Sequence, residues 1–148
     1  MEPTQKVKQF LGEKMLKVLQ APDSVQAIQI EPRTGVSLEN IDGFKILNRG
    51  PMLSGDQILW LKSLIMDEKS YDFVNVKRHP MDPVIAYQFK KGTDTVHVLV
   101  SFAGNLWQFS GFDQKSIEDN DPVRASLVAL AKELFPKDKE IQALGDKP

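Results

Sequence analysis

Hydrophobic and polar residues alternate most regularly across 84–111, VIAYQFKKGTDTVHVLVSFAGNLWQFSG, and a period of two is the signature of extended chain. Val96, Val98, Val100 and Phe102 fall on one side of such a segment while Leu99 adds an apolar side chain to the other, which predicts a central strand covered on both faces. Upstream, Ile85, Tyr87 and Phe89 alternate with Ala86, Gln88 and Lys90, and 90–94 supplies a glycine and polar residues where a hairpin must reverse. Downstream, Gly104-Asn105 offers a second turn, after which Trp107 and Phe109 alternate with Gln108 and Ser110. The pattern predicts a three-stranded antiparallel meander.

The flanking segments switch to helical spacing. Over 4–20, Val7, Leu11, Met15 and Val18 recur every third or fourth residue, with Thr4 as candidate N-cap and Ala21-Pro22-Asp23 as the stop. The stretch 24–31 reads as a strand ended by the turn residues Pro32 to Gly35, and 41–48 as its ribbon partner, broken by Arg49-Gly50-Pro51. Ser54 and Gln57 match a capping box at the head of a helix over 54–66, where Ile58, Leu61 and Ile65 form the stripe. Leu59, Leu64 and Met66 widen that stripe, and Trp60 lies at its edge. A polar loop, 67–83, follows, with Tyr71 and Phe73 available to pin it. After the meander comes a second polar loop, 112–120. Asp121-Pro122 then opens a helix on which Val123, Leu127, Leu130 and Leu134 repeat, stopping before Pro136. Ile141 and Leu144 mark a short terminal turn, and 145–148 reads as a flexible tail.

Composition narrows the function. A chain of 148 residues is one domain's worth and buries roughly 70% of its unfolded surface. The net charge of −1 leaves no global field of the kind that holds nucleic acid, so none is expected as a partner. Cysteine is absent, which removes disulfides and thiolate chemistry. No apolar run approaches the ~20 residues of a membrane span. The expectation is a cytoplasmic location by default, with an export signal or lipid anchor removed upstream of Met1 left open. Lys6, Lys8, Lys14 and Lys17 give the first helix a basic tint that suits an anionic membrane surface. Lys14, however, interrupts the apolar stripe, and a helix packed on the sheet is the plainer reading.

Candidate chemistry is sparse. His79 and His97 are the chain's histidines, so no metal and no cofactor is expected. His79, Asp82 and His97 are the weak catalytic candidates, converging only if the 67–83 loop folds back over the sheet. Ser101, His97 and Asp82 supply the residue types of a hydrolytic triad, but there is no G-x-S-x-G elbow and Ser101 lies within a strand. Leu53-Ser54-Gly55-Asp56 lacks the glycines and lysine of a phosphate loop. Trp107, Phe109 and Phe112 near Lys90 and Lys91 are core or partner-facing aromatics rather than a base-stacking platform.

Four segments, LKSLIMDEKSY, KRHPMDPVIAYQF, VHVLVSFAGNLWQF and LAKELFPKDKEIQAL, resemble a loose family of uncharacterised bacterial proteins. In that family a helix and a D-x-x-S-Y turn precede a hairpin, and an F-P-x-D segment follows the last helix. The resemblance runs over 43–144. Many of the proteins it resembles carry cysteines at the positions held here by His79, Ser101 and Gly104, so this chain departs from them there. The resemblance implies no established activity.

The combined expectation is a single α+β domain over 1–148, with the first helix (1–20) packed on or beside its sheet and a peripheral placement left open. Its antiparallel sheet has about five strands, with two or three helices packed on it. Its function is that of a small non-catalytic protein-binding module, with Trp60, Trp107 and Phe112 as the binding aromatics. The alternatives are a hydrolase using His79, Asp82 and His97, and a peripheral membrane protein held by the first helix.

Overall fold

The computed structural model describes residues 2–35, 37–75 and 79–148. Among these residues seven strands form one antiparallel sheet in the order β2-β3-β1-β4-β5-β6-β7. The chain runs α1 (Gln5–Leu11), α2 (Glu13–Gln20), β1 (Ser24–Thr34), β2 (Asn40–Ile41), β3 (Phe44–Met52), α3 (Gly55–Met66), β4 (Ile85–Lys91), β5 (Asp94–Ser101), β6 (Leu106–Gly111), β7 (Gln114–Asp119), α4 (Arg124–Leu134) and α5 (Lys139–Gln142). The α+β class and the antiparallel sheet are as the sequence pattern predicts, and the strand and helix counts exceed it.

The meander is one strand longer than predicted. The polar run after Gly111 is the edge strand β7, paired from Leu106↔Asp119 to Gly111↔Gln114. It carries no strong apolar alternation because the free edge is solvated. Phe112 and Asp113 make its hairpin turn, both left-handed at φ 53° and 58°. β5 is covered on both faces as predicted, with Val96, Val98, Val100 and Leu99 fully buried. The middle position of the sheet nevertheless belongs to β4, because β1 inserts between β3 and β4.

The ribbon is also longer than expected. β1 passes through Pro32 to pair Thr34 with Phe44, and β3 passes through Gly50 and Pro51. Both prolines lie where one flank of their strand is unpaired: β2 covers only Phe44 and Lys45 of β3, and β4 pairs with β1 only from Ser24 to Gln29. Three register shifts along β1 and β3 coil the ribbon. It curls over one face of the sheet, where Ile28, Ile30, Ile41, Phe44, Ala86 and Leu99 make a small second core.

The helices cover the other face. The predicted 4–20 helix is two helices, because Gly12 sits at φ 80° between them. Val7, Leu11, Met15 and Val18 are all buried in the main core, so this element is integral rather than peripheral. Thr4 does not cap with its side chain; its hydroxyl donates to Glu68 Oε1 at 2.7 Å. The capping box of α3 forms as predicted, Gln57 N–H donating to Ser54 Oγ and Ser54 N–H to Gln57 Oε1. Leu61, Ile65 and Met66 are buried, but Leu59 is 59% exposed, so the apolar arc is narrower than the sequence implies.

Candidate functional site

The histidines do not meet. His97 lies on the ribbon-covered face of β5, next in register to Gln88 on β4 and Ser110 on β6. His79 is exposed beside the β5–β6 turn, its Nδ1 2.7 Å from the Pro80 carbonyl oxygen. Its ring lies so close over Gly104 that a Cβ there would fall 2.5 Å from Nδ1. Gly104 N–H in turn donates to Ser101 Oγ at 3.5 Å. Ser101 is four residues along β5 from His97, about 13 Å at a strand's rise. Asp82 lies in a separate groove described below. The hydrolase reading thus lacks its convergence. His79, Gly104 and Ser101 do come together.

The sequence missed the groups that surround His97. Asp42, left-handed at φ 54° in the β2–β3 turn, reaches across the sheet. Its carboxylate accepts from Gln108 Nε2 at 3.1 Å and, in a short bond, from Ser110 Oγ. His97 Nε2 is 3.0 Å from Gln88 Nε2. Burial lowers the His97 pKa, with the Asp42 charge opposing and Lys90 reinforcing that shift. Serine, histidine and aspartate are therefore neighbours, yet the serine proton goes to the carboxylate and not to the imidazole. A triad requires the reverse order, and Ser110 is 6% exposed. The arrangement fastens the hairpin tip to the sheet.

The three candidate aromatics part company. Trp107 is fully buried in the main core, tilted against Tyr71 at 4.9 Å and edge-on to Phe109 at 5.1 Å, so it offers no surface. Tyr71 stacks on Phe73 at 5.0 Å and donates its hydroxyl to Ile65 O, pinning the start of the 67–83 loop as anticipated. Trp60 and Phe112 are half-buried against the same core.

A concavity lies between β1, β3, α5 and segment 145–148. It is a groove of about 660 Å³, within the size range of ligand sites. Ile30, Leu47, Val84, Phe102, Ile141 and Leu144 supply its apolar lining, and Arg33, Asp82, Glu140 and Lys147 its charged rim. Leu47 is 58% exposed on its wall. Asp138 fixes one side: it accepts from Ile141 N–H and from Gln29 Nε2 at 2.7 Å, which holds its carboxyl below the usual range. Gln29 Oε1 accepts in turn from Asn48 Nδ2, tying α5 to β1 and β3.

Arg124, only 4% exposed, forms the other end. Its Nη1 donates to Phe102 O and to Asn105 Oδ1, its Nε to Gly145 O at 3.1 Å and its Nη2 to Lys147 O at 3.2 Å. The guanidinium sits 5.7 Å from the Phe102 ring centroid. Burial lowers its pKa, opposed by the charges of Asp121 and Asp146. Segment 145–148, expected to be flexible, is held to the wall by its own carbonyls. No sequence periodicity marks this arginine, because its partners are three main-chain carbonyls and the Asn105 side chain, brought in from the turn after β5 and from the last residues.

The fold and its groove define an α+β domain with a seven-stranded antiparallel sheet, curled at one end and layered with helices on one face. Compared with family profiles, with curated proteins and with solved structures, the chain matches none. No helix among the described residues is long and apolar enough to cross a membrane.

Proposed function

We propose that this chain is a small non-catalytic module that binds another protein through the groove between the ribbon, α5 and Arg124. The observation that carries the reading is Leu47, a large aliphatic side chain 58% exposed on the wall of a mostly apolar concavity with a charged rim. An apolar centre within a polar rim is the anatomy of a protein-binding patch. Trp107 has no part in it, and the binding face moves from the predicted aromatics to the groove.

The test is a photoreactive residue at position 47, introduced into tagged protein in its native cells, with crosslinked products identified by mass spectrometry. A stoichiometric partner captured at position 47 and lost in a Leu47→Asp variant is expected. Equal capture from position 115, on the distant edge strand β7, would sink the groove as the binding face.

A further inference from the structure

The tip of the ribbon carries a reactive dipeptide. Ile41 pairs with Phe44, so Asp42 and Gly43 alone make the turn between β2 and β3. They sit at φ 54° and 90°. Left-handed backbone at both positions is what a type I′ hairpin requires, and Asp-Gly is a favoured sequence for it. The same dipeptide is prone to rearrange in water, because glycine has no side chain to hinder attack by its own nitrogen on the aspartate carboxyl carbon. Asp42 is exposed, so water reaches it. Three side chains oppose that attack. Ser110 Oγ and Gln108 Nε2 both donate to Asp42 Oδ2, which holds the carboxyl group on the sheet. Asn40 Oδ1 accepts from Gly43 N–H at 3.0 Å, so the nitrogen that would attack keeps its proton in a bond. Asn40 Nδ2 in turn donates to Ser37 O at 2.9 Å, which fixes the orientation of that amide.

We infer that Asp42-Gly43 is a site of spontaneous isomerisation to isoaspartate, held in check by Asn40, Gln108 and Ser110. The inference is independent of the groove. In the reaction the Gly43 nitrogen gives up its proton and bonds to Asp42 Cγ, and the hydroxyl of the protonated carboxyl leaves with that proton as water, closing a succinimide ring. Water then adds at the Asp42 main-chain carbonyl carbon, and the bond from that carbon to the Gly43 nitrogen breaks. The chain now runs through Cγ, the former main-chain carbonyl is a carboxyl group, and no atom has been gained or lost. The product has an extra main-chain carbon in a turn whose ends are set by Ile41 and Phe44, and its carboxylate hangs from a different atom. The bonds to Ser110 and Gln108 are then lost as they stand, and the ribbon keeps only apolar contacts, such as those of Ile41 and Phe44, at its tip. Isomerisation is thus a one-way release of the latch, reached through moments when the tip has opened.

Full-length protein, its variants and a synthetic peptide of residues 39–46 are incubated side by side at neutral pH and physiological temperature. Isoaspartate is counted by methyl labelling with an isoaspartyl carboxyl methyltransferase and placed at position 42 by electron-transfer fragmentation, with Asp42→Ala as background. The peptide, which has no latch, should react fastest, and the protein at least tenfold more slowly because it must open first. Ser110→Ala should react several-fold faster than the unsubstituted protein. Should that variant fail to fold, Asn40→Ala, at an exposed position, is expected to raise the rate in the same way. A protein that reacts as fast as the peptide, or folded variants no faster than the unsubstituted chain, would overturn the inference. In the isomerised fraction, hydrogen exchange at the amides of Ile41 and Phe44 should quicken; exchange unchanged there would overturn the release of the latch.

Discussion

At the residue scale the polar cluster on the ribbon-covered face has a defined pH response. His97 is held below its ordinary value of 6.5, chiefly by burial, so the folded state favours the neutral imidazole. The unfolded chain then binds more protons than the folded one between the lowered value and 6.5. Stability is complete above that window and falls as pH drops through it. Replacing His97 with Gln should flatten the stability profile between about pH 6.5 and the lowered native value, measured by urea unfolding at a series of pH values. An unchanged slope there would show that the imidazole is not desolvated in the folded protein. Asp138 acts in a separate window: its lowered carboxyl adds stability that is present above the ordinary aspartate value and is lost only as pH falls below it. His97 was visible in the sequence as a strand histidine, but Asp42 was not visible as its neighbour, being 55 positions away and carried there by the curl of the ribbon.

Among the elements, the ribbon shows why local rules misplace boundaries. Arg49-Gly50-Pro51 has the composition of a strand breaker, yet β3 runs through it, with Arg49 paired to Ile28 and Met52 to Gln26 of β1. At Gly50 a Cβ would lie 2.6 Å from Phe135 Cε1 and 2.7 Å from Ala27 O. Substituting Gly50 with Ala should cost about 1–3 kcal/mol from overpacking, read from the shift in the urea midpoint. Phe135→Leu in the same chain should recover part of the loss by removing the ring contact, while the contact with Ala27 O remains. A neutral Gly50→Ala would mean that β3 can move away from Phe135 at no cost. The opposite error occurred after Gly111, where a polar run read as a loop is an edge strand. In both places the apolar pattern reports burial rather than hydrogen bonding, and an edge strand pairs without being buried.

For the whole molecule, the aromatic group around Trp107 is the largest concentration of buried ring surface linking the sheet to α1 and the 67–83 loop. Truncating Trp107 to Ala should cost about 3–5 kcal/mol, a large part of the 5–15 kcal/mol typical of a domain. The expected outcome is a protein largely unfolded at 37 °C by circular dichroism, which makes this variant uninformative about binding. A folded Trp107→Ala protein with a near-native thermal midpoint would show that the core repacks around the gap. The same burial bears on the membrane alternative. Val7, Leu11, Met15 and Val18, the side chains that would enter a bilayer, are committed to the core.

What the sequence determined by itself were the properties set by near neighbours along the chain. The alternation through 84–111 specified the meander and a strand covered on both faces. Three- and four-residue spacing specified the stripes of α1, α2, α3 and α4, and Ser54 with Gln57 specified where α3 begins. Tertiary structure alone decided which strand lies in the middle, that the ribbon curls to bring Asp42 onto Ser110, that Trp107 is interior, and that Arg124 grips 145–148. Those outcomes depend on contacts between residues tens of positions apart, many through main-chain atoms common to all residues, and a one-dimensional pattern of side chains carries no trace of them.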